Sequence, residues 1–208
     1  MSEENVRDAL GKGVVIEAVE SMTGAESIAP EHMGRGAEPA TAYVPRPIAV
    51  DPRVQQGFEQ LLFRQAAMLD AKCWQDWIDL FAEDGVYWMP AAPDQTDWAG
   101  QPSIFAEDRL LMEVRMGRLL HPNAWSQAAL WHTSHLVGNV LVEELHDERA
   151  ELYSRFQMME LRRDDVRHFA GSYRHSLVRV DGAWKIRLQR VDLANGQAAF
   201  DYVIQAWV

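Results

Sequence analysis

Asp181-Gly182 sits between two stretches that both read as strand, and this restricts the fold more than any other feature of the chain. Downstream, Trp184, Ile186 and Leu188 interleave with Lys185, Arg187 and Gln189, the period of two expected of a strand with one wet and one buried face. An Asp-Gly pair offers two consecutive residues that tolerate positive φ, which a tight two-residue turn requires, so it closes a hairpin. Strands are expected near Trp131–Leu145, Glu148–Arg162, Arg167–Val180 and Ala183–Leu193. Long strands joined by tight turns build an antiparallel sheet that twists and curves, and one face of it has to be covered.

The cover is written ahead of the strands. Asp51-Pro52 is a helix start, with Asp as N-cap and Pro at the first helical position. Phe58, Leu61, Leu62, Met68 and Leu69 then recur near helical spacing, which predicts a helix over Pro52–Asp70. A second helix is expected over Trp74–Ala82, with Trp74, Trp77, Ile78 and Phe81 on one face, ended by Gly85. Val86–Met89 reads as a short strand stopped by Pro90, and residues 91–102 as a polar loop. Ser103 is taken as the cap of a third helix reaching Leu120, with Leu110, Leu111, Val114 and Leu119 as its apolar stripe. The tail 197–208 is expected to return as a short helix or strand.

Helices first and strands afterwards imply α+β rather than alternating βαβ: N-terminal helices packed on a long curved antiparallel sheet, a cone with room for a pocket between the layers. Residues 1–50 are different. They hold five glycines and four prolines with almost no aromatics, and read as an N-terminal arm, extended or partly disordered, or laid over a partner subunit. Val14–Val19 within it is expected to form a short helix or strand. Residues 51–208 read as a single α+β cone domain.

Composition removes several functions. A formal charge of −11 lacks the basic footprint of a nucleic-acid binder and disfavours anionic lipid. No apolar run approaches the ~18 residues of a membrane span, and Met1-Ser2-Glu3-Glu4 lacks the basic start of a secretory signal, so a cytoplasmic location is expected. The one cysteine, Cys73, cannot form an intrachain disulfide, and a Rieske centre requires two Cys and two His. Any iron–sulfur chemistry has to be carried by a partner. Eight tryptophans hint at more buried surface than one small domain needs.

The candidate chemical groups do not converge. His132 and His135 lie three apart on an expected strand, which places them on opposite faces, as does the seven-residue spacing of His168 and His175. Asp76, Asp79, Glu83 and Asp84 cluster around the second helix and read as a solvated face. Glu107 and Asp108 suit a helix's first turn. Cys73 precedes Trp74 in an apolar context and reads as a buried, inert thiol, and Ser134 lacks a glycine elbow. Arg162-Arg163-Asp164-Asp165 reads as a charged turn. Arg149, Arg155, Arg174, Arg179, Arg187 and Arg190 spread through the sheet, a composition that suits protein contact and solvent alike. The catalytic, cofactor-binding and metal sets of this chain are therefore expected to be empty.

Several stretches resemble one family in their order and spacing: Leu69-Asp70 with Trp77; Leu80-Phe81-Ala82-Glu83-Asp84-Gly85-Val86-Tyr87-Trp88-Met89-Pro90; Trp125-Ser126 followed by His135-Leu136-Val137-Gly138-Asn139-Val140; Ala170-Gly171-Ser172-Tyr173-Arg174-His175; and Asp181-Gly182-Ala183-Trp184-Lys185-Ile186 with Arg190-Val191-Asp192-Leu193. The chain from about residue 52 onward resembles the small (beta) subunits of aromatic-ring-hydroxylating, Rieske-type dioxygenases. The resemblance implies a cystatin-like, nuclear-transport-factor-like cone that assembles with a large (alpha) oxygenase subunit, commonly three large with three small, the small subunits also contacting one another as a homotrimer. It implies that the large subunit carries the Rieske 2Fe-2S cluster and the mononuclear iron, and that this chain is largely structural. Many relatives carry Pro and Arg where this chain has Gln127-Ala128-Ala129-Leu130-Trp131-His132-Thr133-Ser134, so contacts made by those Arg residues do not carry over.

Two rival readings remain open on the residues alone. One is an enzyme on the same cone, a dehydratase or isomerase using Asp76 or Asp108 with His132 or His135. The other is a binding module with an apolar pocket. Under the assembly reading, Trp74, Trp88, Trp98, Trp125, Trp131 and Trp207 include candidates for subunit contacts.

Overall fold

The structure, a computed structural model, describes residues 43–121, 123, 131–194, 196, 204 and 206–208. The expected element at Val14–Val19, Trp125, and most of the tail lie outside the described residues. The order is α1 (Pro52–Asp70), α2 (Trp74–Ile78), β1 (Phe81–Pro90), β2 (Ser103–Asp108), α3 (Arg109–Leu120), β3 (Trp131–Leu145), β4 (Arg149–Arg162), β5 (Asp165–Val180) and β6 (Ala183–Leu193).

The Asp181-Gly182 hairpin closes as the sequence demands. Asp181 has φ 50° and Gly182 φ 78°, and Val180 pairs with Ala183 across the turn. Six strands form one sheet in the order β2-β1-β6-β5-β4-β3. Every neighbouring pair is antiparallel except β1 and β6, which run parallel and bring the first described strand beside the last. In β3 the register shifts between Gly138 and Leu141, with Asn139 at φ 52°; such a bulge adds local twist.

Helix α1 begins where expected: the Asp51 carboxylate accepts a hydrogen bond from Arg53 N–H at 2.7 Å, with Pro52 at the first helical position. It buries Phe58, Leu62, Gln65, Ala66 and Leu69 against the sheet and packs on β3. Two boundaries differ from expectation. The second helix stops at Ile78 instead of Ala82, because Leu80 C=O is taken by Ile186 N–H at 2.9 Å and Phe81 already pairs with β6. Residues 103–108 are strand rather than helix. Ser103 accepts from Trp88 Nε1 at 2.9 Å, while the capping role falls to Asp108, whose carboxylate accepts from Leu111 N–H at 2.9 Å.

The inner sheet face and the helices enclose one apolar core, and the tryptophans fill it. Trp77, fully buried, has Trp207 at 4.8 Å, Phe81 at 5.0 Å and Tyr87 at 5.8 Å between ring centroids. Trp74 stacks on Trp131 at 6.2 Å. Of the tryptophans offered above as subunit contacts, Trp74, Trp88, Trp131 and Trp207 are therefore intramolecular, and among the described residues Trp98 alone of that set is exposed. Their number reflects a core built of rings rather than surplus interface.

Residues 43–50 run over the outer sheet face as a strap. Tyr43 O–H donates to the Glu143 carboxylate at 2.6 Å, Arg46 N–H to the same carboxylate at 2.7 Å, and Ile48 N–H to Val142 C=O at 2.8 Å. Tyr43 stacks on Tyr153 with ring centroids 5.8 Å apart.

Candidate functional site

A cone fold places its natural pocket between the helices and the inner sheet face, and two polar groups lie there. The first joins α1 to β3. Asp70, the last residue of α1, accepts from Thr133 O–H at 2.9 Å and from His135 N–H at 2.9 Å, and its carboxylate lies 2.6 Å from His135 Nδ1. The His135 side chain is 1% exposed, and its Nε2 is buried without a partner. Burial pushes the Asp70 carboxyl upward, but the side-chain, backbone and charge interactions of His135, together with Thr133, outweigh it and hold the group below its ordinary 3.8.

The second group is Gln65, Gln189 and His175. Gln65 Nε2 donates to Gln189 Oε1. Gln189 pairs with His175 across β5 and β6, yet neither His175 ring nitrogen has a partner in hydrogen-bond geometry. The ring is fully buried, and burial pulls its pKa down to about 3 against a smaller opposing pull from Gln189. His175 is neutral at any physiological pH and sits edge-on to Tyr173 at 5.7 Å.

Little space remains between these groups. The cavity bounded by Leu62, Gln65, Ala66, Leu69, Val137 and Tyr173 holds about 10 Å³, roughly one water. An Asp–His dyad is present, but it is Asp70 with His135, and it faces packed side chains. The acids suggested by sequence lie elsewhere. Asp76 is exposed on α2, Asp108 caps α3, and among the described residues no bond joins either to a histidine. His132 faces away from His135 and is exposed. His168 is exposed and His175 buried, the opposite faces that their spacing requires.

The remaining charged candidates have structural partners. Asp79 pairs with Arg109 at 3.0 Å, Asp84 with Arg187 at 3.1 Å, and Glu107 with Arg115 at 3.0 Å. Glu83 is exposed, and Cys73 is an exposed free thiol rather than a buried one, because it lies at the start of α2 while Trp74, Trp77 and Ile78 turn into the core. Arg163, with φ 56°, sits in the charged turn between β4 and β5.

On the outer face an open groove lies under the strap, and several of its charges are matched within the chain. Arg190 holds Asp192 at 2.7 Å and donates to the carbonyls of Pro93 and Gln95. Arg174 lies 3.4 Å from Asp192 and covers the Tyr43 ring at 4.5 Å. Glu151 accepts from Ser176 O–H at 2.7 Å; burial first, then Glu144 and Glu143, raise its pKa. Burial and the Glu143 carboxylate push the Tyr43 phenol up to about 12.

Residues 64–198 match the family of the ring hydroxylating beta subunit. The chain belongs to that family. The beta subunit of biphenyl 2,3-dioxygenase from Rhodococcus jostii is 29% identical over 112 residues, which cover 50% of this chain and 60% of that relative's length. The crystal structure of the beta subunit of benzoate 1,2-dioxygenase from Burkholderia mallei superposes with a TM-score of 0.58 at 25% identity, covering 76% of this chain and 99% of that one. A putative scytalone dehydratase from Novosphingobium aromaticivorans reaches a TM-score of 0.53 at 19% identity, over 74% and 91% of the two chains, a likeness of fold alone.

Among the described residues of this beta subunit, the candidate ligands do not come together as an iron centre requires. With one cysteine it cannot supply the two thiolates of a Rieske cluster. A mononuclear iron needs two imidazoles and a carboxylate converging, and His135 is tied to Asp70 while His132 points away. Among the described residues no group of three or more His, Cys, Asp and Glu side chains is arranged to hold a metal ion. No described helix is long and apolar enough to cross a membrane. The Asp70–His135 contact was reachable from sequence only by placing the end of α1 beside β3; no local pattern announces it.

Proposed function

We propose that this chain is the non-catalytic small subunit of a multicomponent Rieske non-haem iron oxygenase that hydroxylates an aromatic compound. In this reading it stabilises a cytoplasmic hetero-oligomer, three large and three small subunits, in which the large subunit holds the 2Fe-2S cluster and the mononuclear iron. The observation that carries the reading is the close packing beside the Asp70–His135 dyad. Next to the Asp70–His135 dyad, where a cone-fold enzyme using it needs substrate space, the cavity bounded by Leu62, Leu69 and Tyr173 takes about one water, and the dyad serves to pin helix to strand. Membership of the beta-subunit family supports the same division of labour. The named relatives act on molecules as different as biphenyl and benzoate, so substrate identity belongs to the large subunit's pocket in this reading.

Coexpression with and without the large subunit tests it. The expected result is a coloured, iron-bearing complex whose iron content tracks the large subunit, with this chain alone colourless. Stoichiometric iron on the isolated chain, or dehydratase or isomerase turnover by it, overturns the reading.

A further inference from the structure

The floor of the groove under the strap sets charges of one sign side by side. Arg190 on β6 pairs in register with Arg174 on β5. One step along the same face, where Ser176 lies opposite Glu151, Glu151 on β4 pairs in register with Glu144 on β3. The sheet order β6-β5-β4-β3 therefore runs from two cations to two anions. Like charges directly opposite one another weaken a sheet, and a breach of a local rule is expected where a site is built. The cations are incompletely compensated. Arg190 holds Asp192 at 2.7 Å and donates to the Pro93 and Gln95 carbonyls. Arg174 reaches the same carboxylate only at 3.4 Å, and its Nε has no hydrogen-bond partner. A guanidinium left short of acceptors calls for one, and a carboxylate is the strongest.

The anions are no better matched. Glu151 accepts from the Ser176 hydroxyl at 2.7 Å, and Glu144 lies 3.7 Å from the exposed His146. Among the described residues, neither Arg149 beside Glu151 nor Arg46 on the strap forms an ion pair with either carboxylate. Between strap and sheet the groove encloses about 860 Å³, within the ~300–1,000 Å³ of small-ligand sites. Val44, Ile48, Trp88, Leu152 and Leu188 give it apolar walls. Tyr43 shows that one small body touches both ends: its ring lies under Arg174 at 4.5 Å and its hydroxyl donates to Glu143 at 2.6 Å. A simple anion would answer Arg174 and face the glutamates, and a simple cation would do the reverse. A molecule carrying both charges answers both ends.

We infer that this groove binds a small zwitterion whose carboxylate and ammonium are separated by an apolar spacer, the carboxylate on Arg174 and the ammonium between Glu151 and Glu144. The site lies within this chain, so it stands or falls apart from the assembly reading. Titration calorimetry on the full chain tests it at low ionic strength, where exposed charges are least screened. The probe is ε-aminocaproate, with caproate and hexylamine as its singly charged halves. One equivalent of ε-aminocaproate is expected to bind about tenfold more tightly than either half, the scale of one added charge-assisted contact. Arg174→Gln is expected to lower its affinity to that of hexylamine, and Glu151→Gln to that of caproate. Glu83→Gln, exposed on β1 outside the groove, is expected to bind as wild type does. Thermal midpoints of the free variants report that each is folded, and the wild-type probe series decides alone where one is not. No binding of ε-aminocaproate at millimolar concentration overturns the inference. So does caproate or hexylamine binding as tightly as the zwitterion, which makes the groove a site for one charge only. Undiminished zwitterion binding by either folded variant overturns it as well.

Discussion

His135 Nδ1 lies 2.6 Å from the Asp70 carboxylate, and the same carboxylate also takes the His135 backbone N–H and the Thr133 hydroxyl. One side chain at the end of α1 thereby holds two successive inward positions of β3. Because the folded pKa of Asp70 is lowered, its stabilisation is fully present above the unfolded value of 3.8 and is lost as pH falls through the folded one. Asp70→Asn is expected to cost about 1–2 kcal/mol at neutral pH, the scale of lost charge-assisted hydrogen bonds. Urea midpoints should show this difference shrinking below about pH 4. A variant as stable as wild type at pH 7 would mean that the contact does not hold the helix to the sheet.

His175 gives the opposite window for a histidine. Its folded pKa, about 3, lies below the ordinary 6.5, so the folded state refuses a proton that the unfolded chain accepts. Stability is then highest above pH 6.5 and declines as the pH drops below it, by about 1–2 kcal/mol down to pH 5. His175→Phe keeps a ring against Tyr173 and removes both unpartnered nitrogens. It is expected to be near neutral at pH 7.5 and to flatten the decline between pH 6.5 and 5, read by urea unfolding at fixed pH. An unchanged slope would place the acid sensitivity elsewhere.

What the sequence disclosed follows the range of its signals. The β5–β6 hairpin and the long strands were legible because alternation and an Asp-Gly turn are local, and strand parity alone separated His132 from His135. The parallel pairing of β1 with β6 was not legible, because residues 81 and 186 share no local pattern. Ser103 imitates a helix cap, but its hydroxyl is taken by Trp88 and the strand pairs with β1, so tertiary contacts overrode a sound local rule. The tryptophans misled for a related reason: composition counts rings without saying which of them, like Trp77 and Trp207, meet each other. The Asp70–His135 dyad had a histidine visible in advance and an acid that only the docked helix could supply.

Gly171 in β5 marks a close approach. A Cβ there would meet the Asp192 carbonyl oxygen across the strand pair and an atom of the Phe156 ring at 2.9 Å. Phe156 is itself stacked on Tyr173 at 4.3 Å, so it has little freedom to retreat, and the carbonyl belongs to the sheet backbone. Gly171→Ala is expected to destabilise by about 3 kcal/mol, at the upper end for overpacking. Calorimetry should show a clearly lower thermal midpoint. An unchanged midpoint would mean that the β5–β6 ladder yields more easily than its register suggests.

The chain's last two residues belong to the core. Trp207 packs on Trp77 and donates from Nε1 to Glu107 at 2.9 Å, while Arg115 covers the same ring at 5.0 Å and pairs with Glu107. Val208 is fully buried; its N–H donates to the Tyr87 hydroxyl at 3.1 Å, and that hydroxyl donates to the Val208 carbonyl oxygen at 3.2 Å. Removing the indole empties the centre of the ring cluster and strands the buried Glu107–Arg115 pair beside the gap. Trp207→Ala is therefore expected to cost about 3–5 kcal/mol, the range for a large aromatic in a core. Trp207→Phe retains part of the packing but loses the Nε1 donor, and should cost less, about 1–3 kcal/mol. Deleting residues 207–208 removes both anchors and should destabilise at least as much as Trp207→Ala. Guanidinium unfolding should show the deletion at least as destabilising as Trp207→Ala, and Trp207→Phe the mildest of the three. A deletion milder than Trp207→Phe would show that β1 and α3 keep their packing without the chain end.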